Sequence, residues 1–262
     1  MIILFKIFIF LFGLIVGSFL NCVIYRLEKK ESFLKGRSYC PNCKHKLSWQ
    51  DLIPVFSFLE LKGKCRYCKK PISWQYPIVE LATGVLFVLV FDIAFPNLIL
   101  SIFYFLISSF LIIIFAYDLK YYIIPDEIVF SVIIASFLYQ LFGNWKLEIG
   151  NLLLISNPLF SALGASLFFL TIFLISKGKW LGFGDVKLAF FMGLFLGFPN
   201  IAVALFFSFL IGAMIGVGLI LSGKKSLKSE VPFGPFLVTG TFIALFWGEK
   251  IINWYLTLFV LK

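Results

Sequence analysis

Charge is what this sequence has least of. Only 14% of its 262 residues are charged against 61% hydrophobic, at a mean hydropathy of +1.02, far outside the balance of a soluble globular domain. The chain reads as an all-α polytopic membrane protein. Its 35 phenylalanines suit lipid-facing and helix-packing surfaces, and no low-complexity tract suggests a disordered tail. Histidine occurs once, at position 45. The first apolar run, Ile2 to Val23, lacks a basic leader and an Ala-x-Ala-like cleavage site, which predicts a retained helix and not a signal peptide. No G-x-G-x-x-G follows a strand pattern, so the usual soluble dinucleotide-binding signature is missing.

The charge that is present is unevenly placed. The net charge is +10, yet between Arg26 and Lys70 twelve Lys or Arg face only Glu28, Glu31, Asp51 and Glu60. A nucleic-acid partner is not what this distribution implies. One basic block between hydrophobic runs reads as a cytoplasmic loop that resists translocation.

That loop, Arg26 to Tyr76, is too small to build much of a core unaided. Cys40-Pro41-Asn42-Cys43 and Cys65-Arg66-Tyr67-Cys68 supply a staple: two C-x-x-C pairs separated by twenty-one residues, the spacing of a four-thiolate zinc site. A disulfide pair is the competing reading, which a reducing cytoplasm disfavours. His45 could substitute as a ligand, but four cysteines already close the site. Cys22 belongs to a helix-packing face, in a stretch from Gly17 to Leu27 whose small residues let another helix approach.

Further apolar runs cover Ile78 to Phe95, Leu98 to Tyr117, Ile128 to Phe142, Leu159 to Ser176, Asp185 to Phe198, Ile201 to Leu221 and Phe236 to about Val260. With the first run they predict about eight transmembrane helices. The Asp185 run is short, at about 21 Å of helix. Charge decides its reading: with eight spans and both termini outside, nineteen basic residues face inward and Lys6, Lys146, Lys250 and Lys262 face outward, as the positive-inside bias requires. The domain division expected is a first helix at 1–25, the cysteine loop at 26–77 and a seven-helix membrane domain at 78–262.

Two carboxylates then stand out. Asp185 lies in Gly182-Phe183-Gly184-Asp185 at the start of an apolar run, where an ionisable group asks for a reason. Capping the following helix is the bland alternative. Asp118 sits at a helix C-terminus, where an acid opposes the macrodipole and capping explains nothing. Asp126 and Glu127 fall in a first helical turn, where acids are welcome, and Glu80 has the same excuse. Asp92 falls near an outer helix end, in solvent. Two carboxylates at one membrane face suit peptide hydrolysis, one taking a proton from water and the other giving one to the amide. The same pair would also serve a carboxylate-dependent transporter with a zinc-stabilised loop.

Asp118 with Pro125-Asp126, Gly182 to Lys187, the two C-x-x-C pairs, Gly17 to Leu27 and Pro232-Phe233-Gly234-Pro235-Phe236, taken together and in order, resemble the bifunctional type IV prepilin peptidases. G-x-G-D alone is weak, being shared with presenilin-type intramembrane aspartyl proteases; the five motifs together are specific. The resemblance implies a bacterial inner-membrane enzyme that cuts the basic leader from type IV prepilins or type II secretion pseudopilins after a glycine, at the cytoplasmic face. It also implies methylation of the new N-terminal amine with S-adenosylmethionine. Asp118 and Asp185 match the family's catalytic aspartates, and Cys40, Cys43, Cys65 and Cys68 its two C-x-x-C pairs. The cysteine loop would go with methyl transfer, for which no binding residues are assigned, although Glu80 resembles a family position. The partners implied are the pilin-like substrate and membrane lipid. The Pro232 to Pro235 turn either shapes substrate access or is a plain loop.

Overall fold

The computed structural model describes residues 2–33, 36–142, 152–223 and 230–260. Lys146, Lys224, Lys225, Lys228 and Lys262, on which part of the charge argument rests, lie outside them. Every regular element among the described residues is helical. In order these are α1 (Ile2–Lys29), α2 (Phe56–Glu60), α3 (Gln75–Ala94), α4 (Leu98–Tyr121), α5 (Asp126–Phe142), α6 (Leu152–Ser176), α7 (Phe183–Leu196), α8 (Asn200–Leu221) and α9 (Gly234–Val260), with one 3-10 turn at Gln50–Leu52.

In hydrocarbon a backbone must satisfy its own polar groups, and a helix does so within one segment. Side chains such as Leu98, Ile99 and Phe206 remain largely exposed, as lipid-facing residues do. Six helices, α1, α3, α4, α6, α8 and α9, are long and apolar enough to cross a membrane. The protein is a multi-pass membrane protein. α5 and α7, with 17 and 14 residues, fall short of that length, so the eight apolar runs all form helices but six meet the measure of a span.

The chain divides into two compact units, 1–116 and 117–262, and the cut falls inside α4. In the first unit α1 packs against α3 along a small-residue seam. A Cβ on Gly13 would stand 2.7 Å from the Gly84 Cα, and one on Gly17 would stand 2.7 Å from the Glu80 Cα. The helices therefore touch backbone to backbone. One turn further on, Asn21 Nδ2 donates to the Tyr76 carbonyl at 3.0 Å, so the seam steps in fours along both helices in opposite directions. At its far end Lys6 Nζ pairs with Asp92 at 2.8 Å, which gives Asp92 a partner beyond the solvent expected for it. In the second unit α7 is the hub, packed against α5, α6, α8 and α9. It is lined by the buried side chains of Leu188, Phe191 and Met192.

Candidate active site and cysteine cluster

Asp118 lies three residues before the end of α4, which stops where Tyr122 turns to φ 59° and its N–H closes on the Asp118 carbonyl at 2.8 Å. A left-handed residue just past a helix end is a common terminator. The Asp118 side chain is buried, 4% exposed. Its Oδ2 accepts the Gly234 N–H at 3.0 Å, from the first residue of α9. A Cβ on Gly234 would stand 2.6 Å from that oxygen, so any larger residue there would displace the carboxylate.

Asp185 is the third residue of α7 and 6% exposed. Its Oδ2 accepts the N–H of Gly182, the residue that caps the helix, at 2.9 Å. This is half of a capping box, since the glycine has no side chain to return the bond. The capping role and a chemical one therefore coexist, one oxygen serving the cap and the other left over. Asp118 lies within electrostatic reach of Asp185. Ile124 ties the pieces together: a Cβ on Gly184 would meet the Ile124 Cβ at 2.9 Å, and one on Gly234 would meet its Cδ1 at 3.3 Å. The ends of α4, α7 and α9 thus converge on one buried spot holding two carboxylates. Among the described residues neither carboxylate has a second hydrogen bond.

Lys187 completes the frame. Its Nζ bonds Asp126 Oδ1 at 2.7 Å and lies over the rings of Phe130 and Phe183. Asp126 stands in the first turn of α5 as expected, and it also anchors α7.

The four cysteines meet in the first unit. All four sulfurs lie within 4.8 Å of one another, and Cys40 Sγ is 4.0 Å from Cys68 Sγ. Thiolates about 2.3 Å from a tetrahedral zinc stand about 3.8 Å apart, so the cluster fits that ion. All four are free thiols. His45 is not among them; it is exposed and lies against the Tyr67 ring, centroids 3.6 Å apart and the planes tilted by 31°.

The two halves of the cluster are built alike. Cys40 N–H donates to His45 O, Lys44 N–H to Cys40 O and Leu47 N–H to Ser38 O. Twenty-five residues later Cys65 N–H donates to Lys70 O, Lys69 N–H to Cys65 O and Ile72 N–H to Gly63 O. The sequence carries the same repeat, Leu47-Ser48-Trp49-Gln50 against Ile72-Ser73-Trp74-Gln75, a signal that a comparison at that offset reveals. Asp51 joins the halves, accepting from Ser48 N–H and hydroxyl at 3.0 and 2.8 Å, Arg66 Nε at 2.9 Å and the Tyr67 hydroxyl at 3.0 Å. Burial would raise its pKa, but the Arg66 guanidinium and then Ser48 and Tyr67 outweigh it and hold the carboxyl at about 2.

The profile of the bacterial peptidase A24 N-terminal domain matches residues 11–93, and that of the type IV leader peptidase family matches residues 105–217. The chain is 31% identical to the prepilin leader peptidase/N-methyltransferase of Aeromonas hydrophila, over 96% of this chain and 94% of that one. It is 34% identical to the protein of that name from Bacillus subtilis, over 95% and 96%. The chain belongs to the type IV leader peptidase family. A family member from Pseudomonas aeruginosa, with the same name, is 29% identical over 94% of this chain and 91% of its own. No solved structure matches.

Glu80, read from sequence as a first-turn acid, is not one. α3 begins at Gln75, so Glu80 sits in the second turn, buried, and its Oε2 accepts the Val55 N–H at 2.7 Å.

Proposed function

We propose that the protein is a bifunctional enzyme of the bacterial inner membrane that cuts the leader from type IV prepilins or type II secretion pseudopilins after a glycine, and then methylates the new N-terminal amine. The peptidase site faces the cytoplasm in this reading, on the side of the basic cysteine loop. The carrying observation is the pair of buried carboxylates, Asp118 and Asp185, each held by one glycine N–H with its second oxygen unengaged.

Those two unengaged oxygens hold a water against the scissile amide. One carboxylate takes a proton as the water oxygen bonds the carbonyl carbon, and the other gives a proton to the amide nitrogen as the carbon–nitrogen bond breaks. The two titrate as a pair, so neither is assigned a fixed role. Cys40, Cys43, Cys65 and Cys68 would hold a structural zinc that closes the loop, since four thiolates leave no open position.

For the second activity S-adenosylmethionine supplies the methyl group. The donor and a protonated amine acceptor are both cations, and a buried carboxylate with no ion pair among the described residues, Glu80, fits cationic chemistry.

The test is cleavage, in liposomes, of a peptide reading basic leader, Gly, Phe, then an apolar helix. Wild type should release the leader, and Asp118→Asn and Asp185→Asn should each lower the rate nearly as far as the double change, because both act on one step. A pre-cut peptide should still be methylated by these variants. Near-normal cleavage by either single variant would overturn the pair, and ion flux without cleavage would turn the reading to a transporter.

A further inference from the structure

The seam between α1 and α3 carries polar atoms that packing alone does not account for. Asn21 is 2% exposed. Its Nδ2 donates to two carbonyls, Gly17 O at 3.3 Å and Tyr76 O at 3.0 Å. Both neighbours are acceptors, so the amide nitrogen must face them and the orientation is fixed by the network. Oδ1 is left buried with no hydrogen-bond partner. A buried acceptor without a donor costs about 1–3 kcal/mol, which asks what donor it serves.

One turn along α3 lies Glu80, against Gly17. Its carboxylate accepts the Val55 N–H at 2.7 Å. That donor is neutral, and no cationic side chain pairs with the carboxylate among the described residues. Val55, a β-branched residue, is itself held at φ 61°, a conformation that persists only where the surroundings impose it. Within about one helical turn the first unit therefore offers a carboxylate and an orphan amide oxygen, both buried and both acceptors. Their complement is a small cation with several N–H donors. An ammonium has three.

We propose that Glu80 and Asn21 bind the free N-terminal amine of the cut substrate, with Glu80 as the base of methyl transfer. The proposal rests on the methyltransferase reading above. A chain-terminal amine is mostly protonated at neutral pH, with an ordinary pKa of about 7.7–8.0, and it has no lone pair to react until a proton leaves. Glu80 takes that proton while Asn21 Oδ1 accepts a second N–H. The freed lone pair bonds the methyl carbon of the sulfonium donor, the carbon–sulfur bond breaks with its electrons left on sulfur, and the product departs as a methylated ammonium. Glu80 returns its proton to water. An acetylated terminus has lost both the charge and the basicity, so the site rejects it.

The same acceptors could instead hold the amine of the methyl donor, and the experiment separates the two. Full-length protein in detergent is titrated with a pre-cut peptide beginning with Phe, with the same peptide N-acetylated, and separately with S-adenosylmethionine. Wild type should bind the free amine at least about tenfold more tightly than the acetylated form. Glu80→Gln keeps an acceptor for Val55 N–H and removes the charge. It should abolish that preference and lower methyl transfer about a hundredfold, in the range of general-base effects, while zinc content, leader cleavage and binding of S-adenosylmethionine stay at wild-type level. Glu80→Asp, a smaller change should Glu80→Gln fail to fold, should give an intermediate loss of preference. Undiminished preference in either folded variant, or lost binding of S-adenosylmethionine with peptide binding intact, would overturn the proposal. A wild-type protein that methylates nothing would end the methyltransferase reading itself and this proposal with it.

Discussion

The cysteine loop and the aspartate site solve the same problem, holding reactive side chains in a fixed array, by opposite means. The thiols come from two short segments repeated at an offset of twenty-five residues, each shaped by hydrogen bonds between near neighbours in the chain. Cys43 is exposed and the loop has little core, so beyond the bonds of Asp51 to Ser48, Arg66 and Tyr67 little in the chain joins the halves. The carboxylates come from helix ends far apart in sequence; Gly234 and Asp118, which share a hydrogen bond, are 116 residues apart. Those ends are joined by the bond from Gly234 N–H to Asp118 and by Ile124, against which Gly184 and Gly234 both lie. With the proposed zinc bound, the first array would depend on an ion, whereas the second depends on the space that Gly184 and Gly234 leave.

The largest effect expected is therefore on the loop. A strong chelator should unfold it outright, because structural zinc supplies about 10–16 kcal/mol in small thiolate domains. Proteolysis should then cut between residues 36 and 74, and metal analysis before treatment should give about one zinc per chain. Cys40→Ser should reproduce the susceptibility without chelator. A loop that stays resistant with its metal removed would break the comparison.

Next comes the opposite manipulation. Gly234→Ala would place a methyl 2.6 Å from Asp118 Oδ2, nearer than any real carbon–oxygen contact, so the carboxylate must move. Displacements of about 1 Å at a reacting centre cost about a hundredfold, and leader cleavage should fall by that much. Zinc content should stay unchanged. Gly184→Ala, which meets the Ile124 Cβ at 2.9 Å, should lower cleavage in the same direction, because a Cβ fixed to the main chain yields only if the backbone shifts. Full cleavage activity in Gly234→Ala would show that packing does not set the Asp118 position.

The contrast also explains what sequence reading reached. Asp118 and Asp185 announce themselves because a carboxylate beside apolar sequence is costly, and the cysteines because their spacing is a ligand pattern. Gly234 does not: a main-chain N–H leaves no mark on residue type, and the flanking prolines read equally well as a loop. Glu80 was hidden by an error of register. Pro77 looks like a break, so the helix is expected at Ile78, but a first-turn proline lacks only an N–H that has no partner there anyway. Starting at Gln75 moves Glu80 out of the first turn. Pro158 misleads in the same way, lying inside α6 where the apolar run is expected to open at Leu159. Asp126 fitted its helix turn so well that its second partner, Lys187, could not be anticipated without the fold.

That ion pair offers a smaller, sharper probe. Lys187 is the more enclosed partner, with 18% of its side chain exposed against 59% for Asp126, and a pair so open on one side is worth about 1 kcal/mol at most. Lys187→Met keeps the apolar stem against Phe130 and Phe183 and removes the charge. Cleavage should drop about fivefold or less, with Asp126→Asn giving a similar loss and the double variant no further loss. Additive losses in that set would show that the two residues act on the site separately.

The smallest effect is expected at Asp51, where the sign of the pH dependence tests how the loop is held. Its carboxyl is kept near 2 in the folded loop, below its ordinary value of 3.8, so its contribution to stability is present above the unfolded pKa and is lost only as pH falls through about 2. Metal binding by thiolates weakens with acid, so release of the proposed zinc precedes any protonation of Asp51. Over the whole interval in which the loop is closed, Asp51 is thus a fixed anion joined to Ser48, Arg66 and Tyr67. Asp51→Asn keeps part of that hydrogen bonding and loses the charge, a change of about 1 kcal/mol, which linkage converts to about fivefold weaker zinc binding. Competition with a chromophoric chelator between pH 6 and pH 8 should show that ratio constant while the absolute affinity of both proteins rises with pH. A ratio that varies across the interval would mean that Asp51 acts through a group titrating there, and the loop's two halves would be held by something other than this fixed charge.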